Sequence, residues 1–154
     1  MSERVEAAIS QWVTFTLDDE IYGIDVMQVQ EVLSMPDITP VPGAPDWIMG
    51  IINLRGHVVT VIDTRLRLGI RSRALNASSQ VIVLEAGQVV GIAVDSVAEV
   101  AAIGDPQIGS APDIGSPEAA RYIRGVVNRD NRLLILLDSL RLLGQGEWDR
   151  TAAL

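Results

Sequence analysis

The sequence contains no cysteine and no lysine, and it has a single histidine, His57. The absence of cysteine excludes disulfides, thiolate metal ligands and cysteine nucleophiles. His57 stands alone as a candidate general base, because the sequence points to no residue that would activate it. No Gly-x-Gly-x-x-Gly, phosphate-binding or Gly-x-Ser-x-Gly motif is present. We therefore predict that the protein is not an enzyme and that it binds no metal or cofactor.

Positive charge is also scarce. Twelve arginines face twenty acidic residues, which gives a net charge of −8 and a pI of about 4.5. Such a surface repels nucleic acid and anionic lipid, so neither is expected as a partner. The first residues are charged, and no apolar run approaches the ~20 residues needed to span a bilayer. We expect no signal peptide and no membrane insertion.

What the sequence does contain is an internal repeat. Residues 50–69 align without a gap with residues 125–144, at an offset of 75. Upstream, residues 23–32 align with residues 91–100, at an offset of 68. Identical residues at equivalent positions include Gly50/Gly125, Asn53/Asn128 and Asp63/Asp138. The repeat predicts two similar units, and each unit of roughly 70 residues would be marginal alone, which favours a shared apolar core.

Alternating apolar and polar residues predict β-hairpins in both copies. The predicted hairpins are 13–17/21–24 and 48–54/57–62 in the first copy, and 81–84/89–94 and 123–129/132–137 in the second. Gly and Asn tolerate positive φ in tight turns, which places the turns of the later hairpins at Arg55-Gly56 and Asp130-Asn131. Arg55 is therefore expected at a hairpin tip. Residues 26–33 are predicted as a short helix or an irregular strand.

Two aspartates and two glycines are predicted to have structural roles. Asp63 and Asp138 each precede a short segment that ends at a glycine, Gly69 or Gly144. We interpret these aspartates as N-caps of short helices rather than as catalytic groups. Gly50 and Gly125 are expected to allow a close backbone approach at the seam between the two units, where a side chain would overpack.

Several of these segments together resemble the CheW family of chemotaxis coupling proteins. The segments that carry the resemblance are 51–56 (Ile-Ile-Asn-Leu-Arg-Gly) with 58–63, 22–25 (Tyr-Gly-Ile-Asp) with 29–32 (Val-Gln-Glu-Val), 89–97 and 124–138. The resemblance extends over roughly residues 11–143. It implies an all-β fold with a few short helices, in which two SH3-like five-stranded β-barrels pack around a shared hydrophobic core as a pseudo-duplication.

The resemblance also implies a domain organisation. The whole chain, 1–154, would form a single CheW-like domain made of two intertwined barrel subdomains. These subdomains would span about 15–85 and 86–143 and would exchange strands at their ends. Residues 1–10 and 145–154 are expected to be flexible tails.

The function implied by the resemblance is that of a non-enzymatic adaptor. Such a protein would couple transmembrane chemoreceptors to the histidine kinase CheA in signalling arrays. One barrel would contact the kinase's CheW-like regulatory domain, and the groove between the barrels would take the receptor's helical hairpin. The expected location is the cytoplasm, with recruitment to receptor arrays at the inner membrane. The alternative is an adaptor of a type IV pilus or another non-flagellar chemosensory pathway.

By the same resemblance, a small set of residues is expected to contact the kinase or the receptor: Val29, Glu31, Val32, Arg55, Gly56 and Val97. An arginine at a hairpin tip suits bidentate contacts with a partner carboxylate. Val29 and Val32 would suit a groove for a helix face, but the same pattern is typical of core residues. Glu31 and Arg55 would be structural if they pair with each other.

A different class of function also stays open at this point. Glu31 and Glu99 occupy equivalent positions in the two copies. A small-molecule-binding barrel or a minor hydrolase would need one of them beside His57 in a closed polar pocket.

Overall fold

Ten strands dominate the described part of the chain. The computed structural model describes residues 9–70, 76, 78–104 and 120–143. The strands are β1 (Ile9–Leu17), β2 (Glu20–Asp25), β3 (Val29–Ser34), β4 (Ile48–Leu54), β5 (His57–Asp63), β6 (Gln80–Glu85), β7 (Val89–Val94), β8 (Ser96–Gly104), β9 (Ile123–Arg129) and β10 (Arg132–Leu137). The helical segments are a 3-10 helix (Val26–Gln28), α1 (Thr64–Arg67) and α2 (Ser139–Leu143). The predicted all-β fold with a few short helices is confirmed.

Local structure follows the turn chemistry of the sequence. The β4–β5 turn has positive φ at Arg55 and Gly56, and the β9–β10 turn has it at Asp130 and Asn131. Residues 26–33 combine both predicted forms, because the 3-10 helix is followed directly by β3. Gly144, the tail 145–154, residues 1–8 of the tail 1–10 and the whole connection 105–119 lie outside the described residues.

The strands form two five-stranded sheets whose spatial orders are equivalent. The first sheet has the order β8–β1–β2–β10–β9, and the second has β3–β6–β7–β5–β4. Since β1–β5 of the first copy correspond to β6–β10 of the second, exchanging the copies turns one order into the other. Each sheet thus combines the first hairpin of one copy with the last three strands of the other. The subdomain limits 15–85 and 86–143 stay predictions.

Three apolar clusters fill the part of the chain that the structure describes. The largest lies between the sheets, where Phe15 and Ile24 of the first sheet meet Ile62 and Ile92 of the second, all fully buried. A second cluster, around Trp12, belongs to the first sheet, and a third belongs to the second sheet. Burial of each large apolar side chain stabilises the fold by about 1.5–3 kcal/mol. The shared cluster therefore ties the two sheets into one body.

Gly50 allows a second backbone layer to cross β4. Thr39 and Ile51 exchange two backbone hydrogen bonds of 2.9 and 2.8 Å. A Cβ atom on Gly50 would lie 2.2 Å from the Thr39 carbonyl oxygen, and its φ is +151°. The close approach predicted for Gly50 is present, but its partner is the segment that precedes β4 and not the other sheet. Gly125 is buried in β9, and its role stays a prediction.

Replacement of Gly50 should show the cost of this contact. We expect Gly50→Ala to reduce the free energy of unfolding by roughly 1–3 kcal/mol more than Gly43→Ala, because only Gly50 would be overpacked. Gly43 is a matched control, since its φ is +82° and no atom lies within 4 Å of its Cβ position. Urea unfolding followed by tryptophan fluorescence measures both. Equal losses would show that positive φ alone, and not the approach of Thr39, requires glycine at position 50.

Candidate interaction surfaces

A bidentate ion pair joins Glu31 on β3 to Arg55 at the tip of the β4–β5 hairpin. Both guanidinium Nη atoms of Arg55 donate to the Glu31 carboxylate, with N–O distances of 2.7 Å. The side chain of Arg55 is 68% exposed and that of Glu31 is 26% exposed. Glu31 and Arg55 therefore pair with each other, which was one of the two alternatives from the sequence. Both side chains still remain partly exposed to solvent.

The sequence around Arg55 holds the tip in place. Arg55 adopts a φ of 51° and Gly56 a φ of 87°, so two successive residues lie in the left-handed region. The Asn53 side-chain oxygen accepts a 2.8 Å hydrogen bond from the Gly56 backbone N–H. Asn at the start of a turn often closes it in this way. The Asn-Leu-Arg-Gly string thus builds a tip that projects its arginine outward.

The Glu31–Arg55 pair also shows that the second sheet is strongly curved. Strands β3 and β4 are its two edges, with three strands between them. In a flat sheet four strand spacings of about 4.8 Å would separate these edges by about 19 Å. Contact between Glu31 and Arg55 requires the sheet to curl until its edges approach. Leu33 and Leu54, from the same two strands, accordingly pack in one apolar cluster.

Beside the ion pair lies a groove of about 650 Å³, here called the first groove. Its lining residues are Gln30, Glu31, Leu54, Arg55, His57, Val58, Val59 and Val89. Val58 is 73% exposed and Val89 is 37% exposed, so apolar side chains flank a charged pair at an accessible surface. Apolar area next to a few oriented charged groups is the usual composition of a protein–protein contact.

The first groove does not provide the pocket that the hydrolase alternative needs. Glu31 and His57 do line the same groove, but His57 is exposed and both Glu31 oxygens accept hydrogen bonds from Arg55. Glu99 lies on β8 in the other sheet. No closed polar pocket surrounds His57 with either glutamate in the described residues.

The internal repeat duplicates this groove on the first sheet. Every residue that lines the first groove has a repeat equivalent, at an offset of 68 or 75, that lines one of two neighbouring pockets. The equivalents, in the same order, are Ala98, Glu99, Arg129, Asp130, Arg132, Leu133, Leu134 and Ile21. Together they form the second groove. The exposed apolar side chain also recurs, since Leu133, the equivalent of Val58, is 53% exposed.

The charges of the two grooves have diverged. Asp130 replaces Arg55 at the hairpin tip, so the sign of the tip charge is reversed. Glu99 instead pairs with Arg129, which lies one residue before the turn. The Arg129 Nη1 atom is 3.9 Å from the Glu99 carboxylate oxygen Oε2. A partner selected by charge would therefore distinguish the grooves, because like charges brought together at an interface disfavour binding.

The valines that the family resemblance selected occupy different environments. Val29 and Val97 are partly buried and pack against the shared core. The Val97 backbone N–H also donates to the Gln80 side chain at 2.8 Å. Val32, on edge strand β3, is 39% exposed, and Gly56 is exposed at the hairpin tip. Val32 and Gly56 are thus accessible to a partner, whereas Val29 and Val97 contribute mainly to the core.

Two exposed apolar residues at the junction of the sheets were missed by sequence reasoning. Met27 is 85% exposed in the 3-10 helix, and Leu140 is 51% exposed in α2. They flank a 2.7 Å hydrogen bond between Ser139 and Gln28, which also line a cavity of about 210 Å³. The helical spacing of Val26 and Val29 is a usable signal, because it leaves Met27 on the opposite face.

Neither membrane spans nor metal clusters are found in the described ranges. No helix there is long and apolar enough to cross a bilayer. Within the same residues, no three His, Cys, Asp or Glu side chains are grouped so that they could hold a metal ion.

A duplicated pair of sheets with exposed, mixed charged and apolar grooves defines a protein-binding module. A family model described as a CheW-like domain matches residues 11–147, so the chain belongs to that family. The chain is 38% identical over 143 residues to the chemotaxis protein CheW of Klebsiella aerogenes, an alignment that covers 92% of this chain and 86% of that protein. The family resemblance predicted from the sequence is confirmed.

Two further relatives bear on function. The crystal structure of scaffolding protein TtCheW from Thermoanaerobacter tengcongensis superposes with a TM-score of 0.78 and 36% identity, and covers 85% of this chain and 90% of that one. Protein PilI of Pseudomonas aeruginosa is 30% identical over 95 residues, which are 60% of this chain and 53% of that protein. At the level of the family, the chain is a chemotaxis scaffold and not an enzyme.

The Glu31–Arg55 pair should contribute little to stability. We expect a double-mutant cycle with Glu31→Ala and Arg55→Ala to give a coupling energy of about 0.2–1 kcal/mol, because solvent screens an exposed pair. The Glu99/Arg129 cycle in the second groove is the matched control and should give a smaller value, since those groups lie 3.9 Å apart. Urea denaturation of the four proteins in each cycle measures the coupling. A coupling energy above about 2 kcal/mol would exceed the range for exposed pairs and assign Glu31–Arg55 a structural role.

Proposed function

We propose that this protein is an adaptor that couples chemoreceptors to a CheA-type histidine kinase, with a separate surface for each partner. The observation that carries the proposal is the exposed Glu31–Arg55 pair inside an accessible, partly apolar groove. Membership of the CheW-like family supports the same role. The groove faces solvent on the second sheet, and the exposed apolar junction at Met27 lies where the chain passes between the sheets.

The first groove suits the kinase's CheW-like regulatory domain. Val58 and Val89 offer apolar area, and the ion pair fixes an orientation for groups that approach it. The Arg55 fork is held rigid by Glu31, which lowers the entropy lost when a partner carboxylate or carbonyl adds to it. Charged groups at a rim contribute mainly to specificity and association rate, while the apolar area contributes to affinity.

The junction around Met27 and Leu140 suits the receptor's helical hairpin. Both side chains are largely exposed although they are apolar. An amphipathic helix recognises a groove through apolar residues spaced three or four positions apart. Methionine adapts its shape to such a face because it is unbranched and flexible.

The two surfaces can be tested against each other in one titration series. We expect Arg55→Glu to weaken binding of a kinase regulatory domain at least about tenfold, or about 1.4 kcal/mol, and to leave receptor binding unchanged. Met27→Glu should do the reverse, because it places a charge on the apolar junction. Arg141→Glu is the control for charge reversal in the kinase titration, since Arg141 is 67% exposed on α2 and lines neither groove. NMR titration of labelled protein with each partner fragment gives the affinities and the shifted amides.

Each outcome of the titrations has a distinct meaning. Loss of both affinities in both variants would contradict separate surfaces. No shifted amides with either fragment would contradict the adaptor proposal. If Arg129→Glu rather than Arg55→Glu weakens kinase binding, the kinase contact belongs to the second groove.

The alternative, an adaptor of a type IV pilus or another non-flagellar pathway, would use the same kind of surfaces. The alignment with PilI is the shorter one, covering 60% of the chain against 92% for the CheW relative. The balance therefore favours chemotaxis. The same titrations with receptor and kinase fragments from each pathway would separate the two by relative affinity.

A further inference from the structure

In the described residues, the chain crosses from one sheet to the other at two points. The first crossover runs from β2 through the 3-10 helix to β3, and the second runs from β7 through Asp95 to β8. The repeat makes these crossovers equivalent, because Met27 and Asp95 coincide at the offset of 68. The angle between the sheets therefore depends on these two crossovers as well as on the shared core.

At the second crossover a buried arginine holds three elements together. Arg65 of α1 is 3% exposed, and its guanidinium contacts carboxylates on two sides. On one side, it donates from Nε to Asp95 at 3.2 Å and also makes an Nη2 contact with the same carboxylate. On the other, its Nη1 atom lies 2.7 Å from the carboxylate of Asp18, in the β1–β2 turn of the first sheet. Arg65 follows β5 of the second sheet and so bridges the sheets.

The β1–β2 turn that Arg65 contacts is also held by the carboxylate of Asp95. Asp18 has a φ of 57°, and its backbone N–H donates to Asp95 at 2.7 Å. The Asp95 backbone N–H donates in turn to the Thr16 carbonyl at 3.1 Å. Burial lowers the pKa of Arg65, but the hydrogen bonds to Asp95 and Asp18 outweigh burial and hold the pKa above its usual value. The guanidinium is thus charged, and each of its three nitrogens contacts a carboxylate.

Among the described residues, the first crossover has no ion pair equivalent to this clamp. Leu140 occupies the position of Arg65, at the offset of 75, and Met27 occupies that of Asp95. Both are exposed, at 51% and 85%. One crossover is therefore held by ion pairs to a buried arginine, while its repeat equivalent carries two exposed apolar side chains beside the Gln28–Ser139 hydrogen bond.

We propose that Arg65 is a positioning residue that fixes the angle between the two sheets by clamping the Asp95 crossover to the β1–β2 turn, a role independent of the proposed function. The geometry requires a fork rather than a point charge, because separate nitrogens serve the two carboxylates. Without Arg65 the crossover keeps its backbone hydrogen bonds but loses its link to α1. The sheets then sample a wider range of angles.

The absence of cysteine makes the angle directly measurable. Cysteines introduced at the exposed positions Glu85 on β6 and Asn128 on β9 carry one spin label on each sheet. Pulsed electron–electron double resonance then gives the distribution of distances between the two spin labels. In the Arg65→Met background we expect a broader and shifted distribution. Arg141→Met, the same change on an exposed arginine of the repeat-equivalent helix, should leave it unchanged.

Asp18→Asn keeps the test decisive if Arg65→Met does not fold. Asp18 is 39% exposed, and its loss of charge weakens the first-sheet side of the clamp while the Asp95 side stays intact. A smaller shift in the same direction is expected. A parent-like distribution in every folded variant, even with a lower melting temperature, would overturn the proposal and leave Arg65 with a stabilising role alone.

Discussion

Neither copy of the repeat forms a sheet by itself, since each sheet takes its first hairpin from one copy and three strands from the other. The parallel pairs β2–β10 and β5–β7 join the copies inside each sheet, and the shared core joins the sheets. An intertwined chain of this kind cannot lose one unit and keep the other. The fold therefore behaves as one rigid block on which separate surfaces hold fixed relative positions, which a scaffold requires.

The centre of the block shows how the copies have diverged. Arg67 stacks on Trp47, with its guanidinium carbon 4.1 Å from the ring centroid, and lies 5.2 Å from the Tyr122 ring. Its Nε donates to the Leu142 carbonyl at 2.8 Å, at the end of α2. Trp47 and Tyr122 are repeat equivalents, and so are Arg67 and Leu142. Arg67 of the first copy contacts Leu142 of the second, and the two residues occupy equivalent positions but differ in type. The contact therefore could not form if the two copies exchanged places.

Much of this architecture is predictable from the sequence because turn chemistry and periodicity act locally. The Asn-Leu-Arg-Gly string predicts the β4–β5 tip, and the repeat predicts its twin at Asp130. The Glu31–Arg55 contact was only one of several alternatives, since it depends on the curl of a sheet between two distant edges. The exposure of Met27 was not predicted, because hydropathy favours burial and the spacing of Val26 and Val29 was the one local signal against it. Val97 shows the converse, as a residue selected by resemblance that packs against the core.

Duplication also explains how one chain can offer two related grooves with different charges. A repeated groove would bind two copies of the same partner if its charges were conserved. The exchange of Arg55 for Asp130, and of Leu54 for Arg129, changes the charges of the groove. Three apolar lining residues, Val58, Val59 and Val89, keep apolar equivalents in Leu133, Leu134 and Ile21. Apolar area supplies affinity without much selectivity, whereas rim charges reject wrong partners. Divergence of a few charged residues would therefore be enough for two duplicated grooves to select different partners.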